Sequence, residues 1–172
     1  MYKKYILAIV AVAVGVAATT PAFAQEKKPM GLSVRLGLFF PSSDQAKDVG
    51  KNWFGGGIEY KLGDLNYGAQ KGHSASYSIS IDTFSKGGFG TTPILLNYIA
   101  RKENIYYKGG IGIGLLKLPV FGGSDNKSQF AYQLAIGYDF NKGNVPYFAE
   151  IAWLGSTKSD VNGIGIFGGV RF

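Results

Sequence analysis

The sequence has no cysteine and only one histidine, His73. The lack of cysteine excludes a disulfide framework and a thiolate metal site. With one histidine and carboxylates spread along the chain, no cluster of metal ligands is predicted. Charged residues make up only 17% of the chain, and the basic ones are scattered rather than grouped in a run. This distribution argues against a nucleic-acid partner, and we expect no metal and no cofactor.

Long apolar runs are also scarce, and the main one lies at the N-terminus. It covers Ile6–Ala18, follows the basic residues Lys3 and Lys4, and precedes the small residues Ala22 and Ala24. This is the pattern of a secretory signal peptide with its cleavage site. The alternative is a membrane anchor, but thirteen apolar residues fall short of the ~20 that a spanning helix needs.

We therefore predict a signal peptide at residues 1–24, a polar lead-in at 25–30 and one domain at 31–172. Without Lys3 and Lys4 the formal charge falls from +7 to +5, from sixteen basic and eleven acidic residues. The mature protein is expected outside the cytoplasm. No helical pattern of useful length is visible after the signal peptide.

The predicted domain alternates between large apolar and small or polar residues with a period of two, which indicates β-strands. Eight such segments are separated by turn residues: Gly31–Phe40, Trp53–Leu62, Ser74–Phe84, Thr92–Ala100, Ile105–Lys117, Ser128–Phe140, Pro146–Leu154 and Gly163–Phe172. The fold class is therefore all-β.

In each strand, the alternate positions between the large apolar residues, called here the small parity, hold mostly Gly, Ser and Ala, with about one charged residue per strand. Small residues suit the narrow interior of an eight-stranded barrel, so the large apolar residues are expected to face outward into lipid. A soluble, lipocalin-like periplasmic barrel is the inverted alternative. In that case Val34, Ile79, Ile136 and Ile166 would line a ligand cavity.

The closing segment Gly163–Phe172, which reads GIGIFGGVRF and ends on an aromatic residue, resembles the last strand of a bacterial outer-membrane barrel. The resemblance is to the small OmpA/OmpX-like and opacity-type barrel families. It implies an eight-stranded antiparallel up-and-down transmembrane β-barrel, a monomer in the outer membrane of a diderm bacterium. The implied partners are outer-membrane lipids, the secretion translocon and the barrel-assembly machinery, for which Phe172 would be the recognition residue.

Outward aromatic residues concentrate at strand ends, as in the interfacial girdles of membrane barrels. The predicted periplasmic belt is Tyr60, Tyr98, Tyr107, Tyr138, Phe140, Tyr147 and Phe172, and the outer belt is Phe40, Phe54, Phe130, Tyr132 and Trp153. The predicted extracellular loops are short. The stretch Gly63–His73 is long for a periplasmic turn, unless the strands on either side of it are longer than the pattern shows.

Charged residues on the small parity are expected to point into the lumen and to pair there, because an unpaired enclosed charge is costly. The predicted lumen ion-pair plug consists of Arg35, Glu59, Lys61, Lys108, Asp139, Glu150 and Arg171, with Asn97 and Gln133 as additional hydrogen-bonding groups. We expect Arg35 near Glu59 and Lys108 near Asp139, and Asp82 inward but apart from the plug. The rival interpretation is an ion-conducting constriction.

The function indicated is therefore a non-catalytic outer-membrane barrel with a closed lumen and a structural or surface-interaction role. The alternatives are a narrow pore for small solutes, a lipid-modifying enzyme and the soluble binding barrel. For an enzyme, His73 next to Ser74 is the only candidate base. It is expected on the periplasmic side and reads as an ordinary turn residue.

Overall fold

A computed structural model describes residues 31–65, 73–120, 123–140, 146–157 and 161–172. The predicted signal peptide with its cleavage residues Ala22 and Ala24, and the lead-in at 25–30, lie outside the described residues. Residues Gly31–Phe172 form one compact unit. Among the described residues, no helix is long and apolar enough to cross a membrane.

Eight antiparallel strands close into a barrel in which each strand pairs with the next and β8 pairs with β1. This confirms the all-β, up-and-down prediction. The elements are β1 (Leu32–Pro41), α1 (Asp44–Val49), β2 (Trp53–Leu65), β3 (His73–Lys86), β4 (Phe89–Lys102), β5 (Ile105–Val120), β6 (Gly123–Phe140), β7 (Tyr147–Ser156) and β8 (Gly163–Arg171). Below, the terminal end of the barrel is the one where β1 begins and β8 ends.

The wall has the predicted faces. Large apolar side chains point out, and their neighbours along the strand are buried, as the alternation along Tyr147–Leu154 of β7 and the first six residues of β8 shows. Ile79, Ile136 and Ile166 are 41%, 47% and 50% exposed. The cavity lined by these residues, which a soluble binding barrel would require, is therefore not formed.

Most predicted belt aromatics are exposed on the outside, including Tyr60, Tyr107, Phe54 and Trp153. Tyr132 is half-buried because its ring lies over Gly155, where a Cβ atom would come within 2.3 Å of the ring. Phe172 is also half-buried.

Several strands are longer than predicted. Strand β2 continues to Leu65 and β3 begins at His73, so the two ends of the stretch Gly63–His73 belong to the wall; residues 66–72 are outside the described residues. Strand β6 begins at Gly123 rather than Ser128. Pairing with β5 extends β6 through a polar stretch that has no period-two hydrophobic signal.

The helix α1 corrects the prediction that the domain has no helix. Ser43 is its N-cap, and the Ser43 hydroxyl accepts a hydrogen bond from the Ala46 amide at 3.2 Å. The indole of Trp53 donates to the Gly50 carbonyl just beyond the helix, at 3.0 Å. A six-residue helix fixed by a cap and one buried alanine has no periodicity from which it could be predicted.

Candidate functional site: the barrel lumen

The lumen holds a group of buried charges centred on Arg35. Its guanidinium donates to both oxygens of Asp82, from Nε at 2.7 Å and from Nη2 at 2.6 Å. The Nη1 group donates to Glu150 Oε1 at 2.6 Å. Arg35 is only 3% exposed, so its charge is balanced by carboxylates rather than by water.

Glu150 connects this arginine to a second cation. Lys108 Nζ lies 2.6 Å from Glu150 Oε2 and 3.0 Å from Glu59 Oε2. The Tyr106 hydroxyl donates to the same Glu150 oxygen at 2.9 Å. Both oxygens of Glu150 are thus occupied, and one carboxylate fixes side chains from β1 and β5.

A second group lies toward the terminal end, and we call it the terminal mouth: Arg101, Asp139 and Arg171. The Arg171 and Arg101 Nε atoms lie 2.9 Å and 3.2 Å from different oxygens of Asp139. Arg171 also donates to the Ser33 hydroxyl at 3.2 Å. These side chains are partly exposed, so the mouth is the wettest part of the charged lumen.

Amide and hydroxyl groups add hydrogen bonds next to the charges. Asn97 Nδ2 donates to the Ser80 hydroxyl at 3.0 Å, and Gln133 Nε2 donates to Asn97 Oδ1. Both amides are buried, at 1% exposure. They lie in the lumen, where the sequence analysis placed them.

The half of the lumen away from the terminal end contains a cluster of large apolar side chains, which was not predicted. Its rings are in contact: Phe39 with Trp53 at 5.7 Å, Phe39 with Phe84 at 5.1 Å, and Phe84 with Phe167 at 5.7 Å between centroids. We call this the apolar cluster; it consists of Phe39, Ala46, Trp53, Phe84, Leu116, Ala152, Leu154, Val161 and Phe167. Ala46 of α1 belongs to it, so the helix covers this end.

Inward glycines provide the space for these large side chains. A Cβ at Gly55 would lie 2.3 Å from the Phe84 ring, one at Gly137 would lie 2.1 Å from Tyr106, and one at Gly57 would lie 2.0 Å from Asp82 Oδ1. Real Cβ atoms do not come this close. These small inward residues therefore lie beside large ones on the neighbouring strand, with which they are in register, and leave them the space they occupy.

The structure changes the predicted partners within the plug. Arg35 lies 3.9 Å from Glu59, near as predicted, but its shorter contacts are to Asp82 and Glu150. Asp82 is part of the group because Arg35 pairs in register with Gly57, and Gly57 with Asp82. Counting from strand ends missed this, because it ignores the stagger of tilted strands.

The predicted pairing of Lys108 with Asp139 is wrong. Lys108 is in register with Ala135, four residues from Asp139 along β6. Because a strand rises ~3.4 Å per residue, Asp139 is too far along β6 to be the nearest carboxylate. Lys108 instead contacts Glu59 and Glu150 across the lumen.

Lys61 does not belong to the plug. Its ammonium lies 2.6 Å from Asp64, and its side chain is 42% exposed. Its backbone amide donates to the carbonyl of Gly31, the residue just before β1, and the register shifts between Lys61 and Gly63. Lys61 therefore lies on the rim, where period-two alternation no longer directs a side chain inward.

Three groups that matter in the lumen were missed. Arg101 was assigned to a turn but lies in β4, because the turn is only Glu103–Asn104. Tyr106 is fully buried, on the same parity as Lys108. The aromatic residues Phe39, Trp53 and Phe84 were overlooked on the inward parity, although that parity alone would have placed them inside.

The remaining predicted residues lie at the terminal end. Phe172 donates its amide to the Leu32 carbonyl at 2.7 Å and accepts from the Gly31 amide at 2.8 Å. His73 is exposed at the start of β3, in register with Lys102. No group of three or more potential metal-ligating side chains occurs in the described part of the chain.

The closed, antiparallel eight-stranded wall has the fold of the small outer-membrane β-barrels. The N-terminal β-barrel domain of OprF from Pseudomonas aeruginosa has a similar structure, with a TM-score of 0.50, 12% identity, and coverage of 84% of this chain and 100% of that one. The likeness agrees with the resemblance to small OmpA/OmpX-like outer-membrane barrels at the level of the fold.

Two structures of Ail, the attachment invasion locus protein of Yersinia pestis, are also similar. The crystal structure has a TM-score of 0.47 and 19% identity, with coverage of 82% of this chain and 97% of Ail. The structure in a phospholipid bilayer nanodisc has a TM-score of 0.43 and 20% identity, with coverage of 82% and 98%. No protein-family model and no curated protein matches the sequence.

Proposed function

We propose that this chain is exported through its N-terminal signal peptide and inserted into the outer membrane of a diderm bacterium as a monomeric barrel. One observation carries the proposal: the closed wall exposes large apolar side chains all around, while charges are enclosed. Leu134, Phe54 and Ile111 are 64%, 64% and 59% exposed. Such a surface is stable in hydrocarbon and would aggregate in water.

In this proposal the terminal end faces the periplasm, and the end covered by α1 faces outward. The wall contacts outer-membrane lipids, and the secretion translocon and barrel-assembly machinery deliver the chain. Phe172, held between Gly31 and Leu32 by backbone hydrogen bonds, is the residue that the assembly machinery recognises.

The proposed role is structural or surface-interacting, without catalysis and with a closed lumen. The apolar cluster and the Arg35 group fill successive parts of the lumen, which supports a barrel that does not conduct. The narrow-pore alternative requires a water path past Phe39, Phe84 and Phe167. The Phe84 ring contacts both the Phe39 ring and the Phe167 ring. A lipid-modifying enzyme would depend on His73 as its base. His73 lies at the end away from α1, and that end faces the periplasm in this proposal.

The location can be tested by cell fractionation and heat-modifiability. We expect the protein in the outer-membrane fraction, with a band whose gel mobility shifts on boiling, because a closed barrel resists detergent until it is heated. A soluble periplasmic protein without a shift would contradict the membrane assignment.

The closed lumen can be tested with the purified barrel in planar lipid bilayers. We expect no reproducible conductance steps, since no continuous water path is expected through the apolar cluster. A channel-forming porin reconstituted in the same way serves as the positive control. Reproducible steps from the folded, heat-modifiable protein would favour the narrow pore over the closed barrel.

A further inference from the structure

The terminal mouth contains more positive than negative charge. Two guanidiniums, of Arg101 and Arg171, share the single carboxylate of Asp139. The next carboxylate, Glu59, lies 4.0 Å from Arg171 Nη1 but only 3.0 Å from Lys108 Nζ. Glu59 therefore belongs to the deeper group, and the three side chains of the mouth together carry one net positive charge.

Both arginines are fixed in place by rings. The Arg171 guanidinium carbon lies 4.3 Å from the centroid of Phe148 and 4.9 Å from that of Tyr106. That of Arg101 lies 5.4 Å from Tyr106. Stacking on an aromatic face holds the plane of a guanidinium while leaving its N–H edge available.

Unused donors remain on both guanidiniums. Each uses Nε on Asp139 and Nη1 on a serine hydroxyl: Ser76 for Arg101 and Ser33 for Arg171. Within the described residues, neither Nη2 group donates a hydrogen bond. The side chains of Arg101 and Arg171 are 22% and 17% exposed, so solvent reaches the mouth.

We propose that the terminal mouth is a binding site for an oxyanion, a carboxylate or phosphate group that enters from the aqueous phase. The bound group balances the second guanidinium and accepts charge-assisted hydrogen bonds from the free Nη2 groups, one on each arginine. The deeper group, with two cations and three carboxylates (Arg35, Lys108; Glu59, Asp82, Glu150), carries one net negative charge and weakens this binding. That the anion comes from the periplasm rests on the proposed function, but the binding itself does not.

The test uses the folded, heat-modifiable full mature barrel in non-ionic detergent, which carries no oxyanion, and follows arginine Nε–Hε resonances by NMR. Sodium phosphate and glutarate are titrated at constant ionic strength against sodium chloride. We expect saturable shifts of two arginine resonances with both anions and none with glutaramide, the uncharged analogue of glutarate.

Variants connect the signal to the mouth. Arg171→Gln and Arg101→Gln should each weaken binding at least tenfold. If Arg171→Gln, which changes β8, does not fold, Arg101→Gln still tests the site. Lys102→Gln is the matched control, because Lys102 is an exposed cation next to Arg101 at the same end. It should bind as the parent does.

Shifts that rise linearly without saturation, or that Lys102→Gln reduces as much as Arg171→Gln does, would overturn the site. The barrel in nanodiscs of anionic lipid without added phosphate separates the two sources of phosphate. The same shifts there would assign the ligand to lipid headgroups and refute the aqueous ligand. Failure of binding with a heat-modifiable barrel leaves the proposed function unaffected.

Discussion

Replacing Glu150 by alanine is expected to cost about 3–5 kcal/mol of unfolding free energy, since removal of one partner leaves buried charges uncompensated. Glu150 is 2% exposed and contacts Arg35, Lys108 and Tyr106. The other carboxylates of the group already have partners and cannot take its place. Unfolding by urea in phospholipid vesicles, followed by the fluorescence of Trp53 and Trp153, measures the loss.

Two further variants identify the cause. Glu150→Gln keeps the size and one acceptor oxygen but removes the charge, so its loss should be intermediate. Asp64→Ala removes a partner of the exposed Lys61 and should cost less than about 1 kcal/mol. Equal losses for Glu150→Ala and Asp64→Ala would contradict the central role of Glu150.

The second large effect concerns the outside of the wall. Ile151→Arg should destabilise the barrel in phospholipid vesicles by about 2–4 kcal/mol, because the proposed membrane placement puts this charge in the hydrocarbon core. Tyr147→Arg, on the same face of β7 near the terminal end, should cost about 0–1 kcal/mol. The measurement is again equilibrium unfolding in vesicles.

This pair separates lipid from water as the surroundings of the wall. Ile151 and Tyr147 are 53% and 55% exposed, so exposure alone predicts the same effect for both. Small and equal effects of the two arginines would show that the wall is in water and would contradict the membrane assignment.

The wall of the barrel could be predicted from sequence because its two faces have different surroundings. In β3, for example, Tyr77, Ile79 and Ile81 are exposed while Ser78 and Ser80 are buried. Parity along a strand records this difference directly. The number of strands follows from the same alternation.

The contacts within the lumen could not be predicted to the same degree. Parity placed Arg35, Lys108 and Glu150 inside, but their pairing depends on the stagger of the strands and on side chains that cross the lumen. The apolar cluster was missed for a different reason: the small residues of the inward parity suggested a small-residue interior throughout. In fact Gly55 is small because Phe84 is large.

This reciprocal packing has a consequence for how such a sequence can change. Gly55 with Phe84, Gly57 with Asp82 and Gly137 with Tyr106 share a space that neither member fills alone. An exchange that enlarges one partner and shrinks the other preserves the sum, whereas either change alone does not. Selection therefore acts on the summed volume of each pair rather than on the identity of either residue. Barrels of one shape can accordingly diverge to very different sequences.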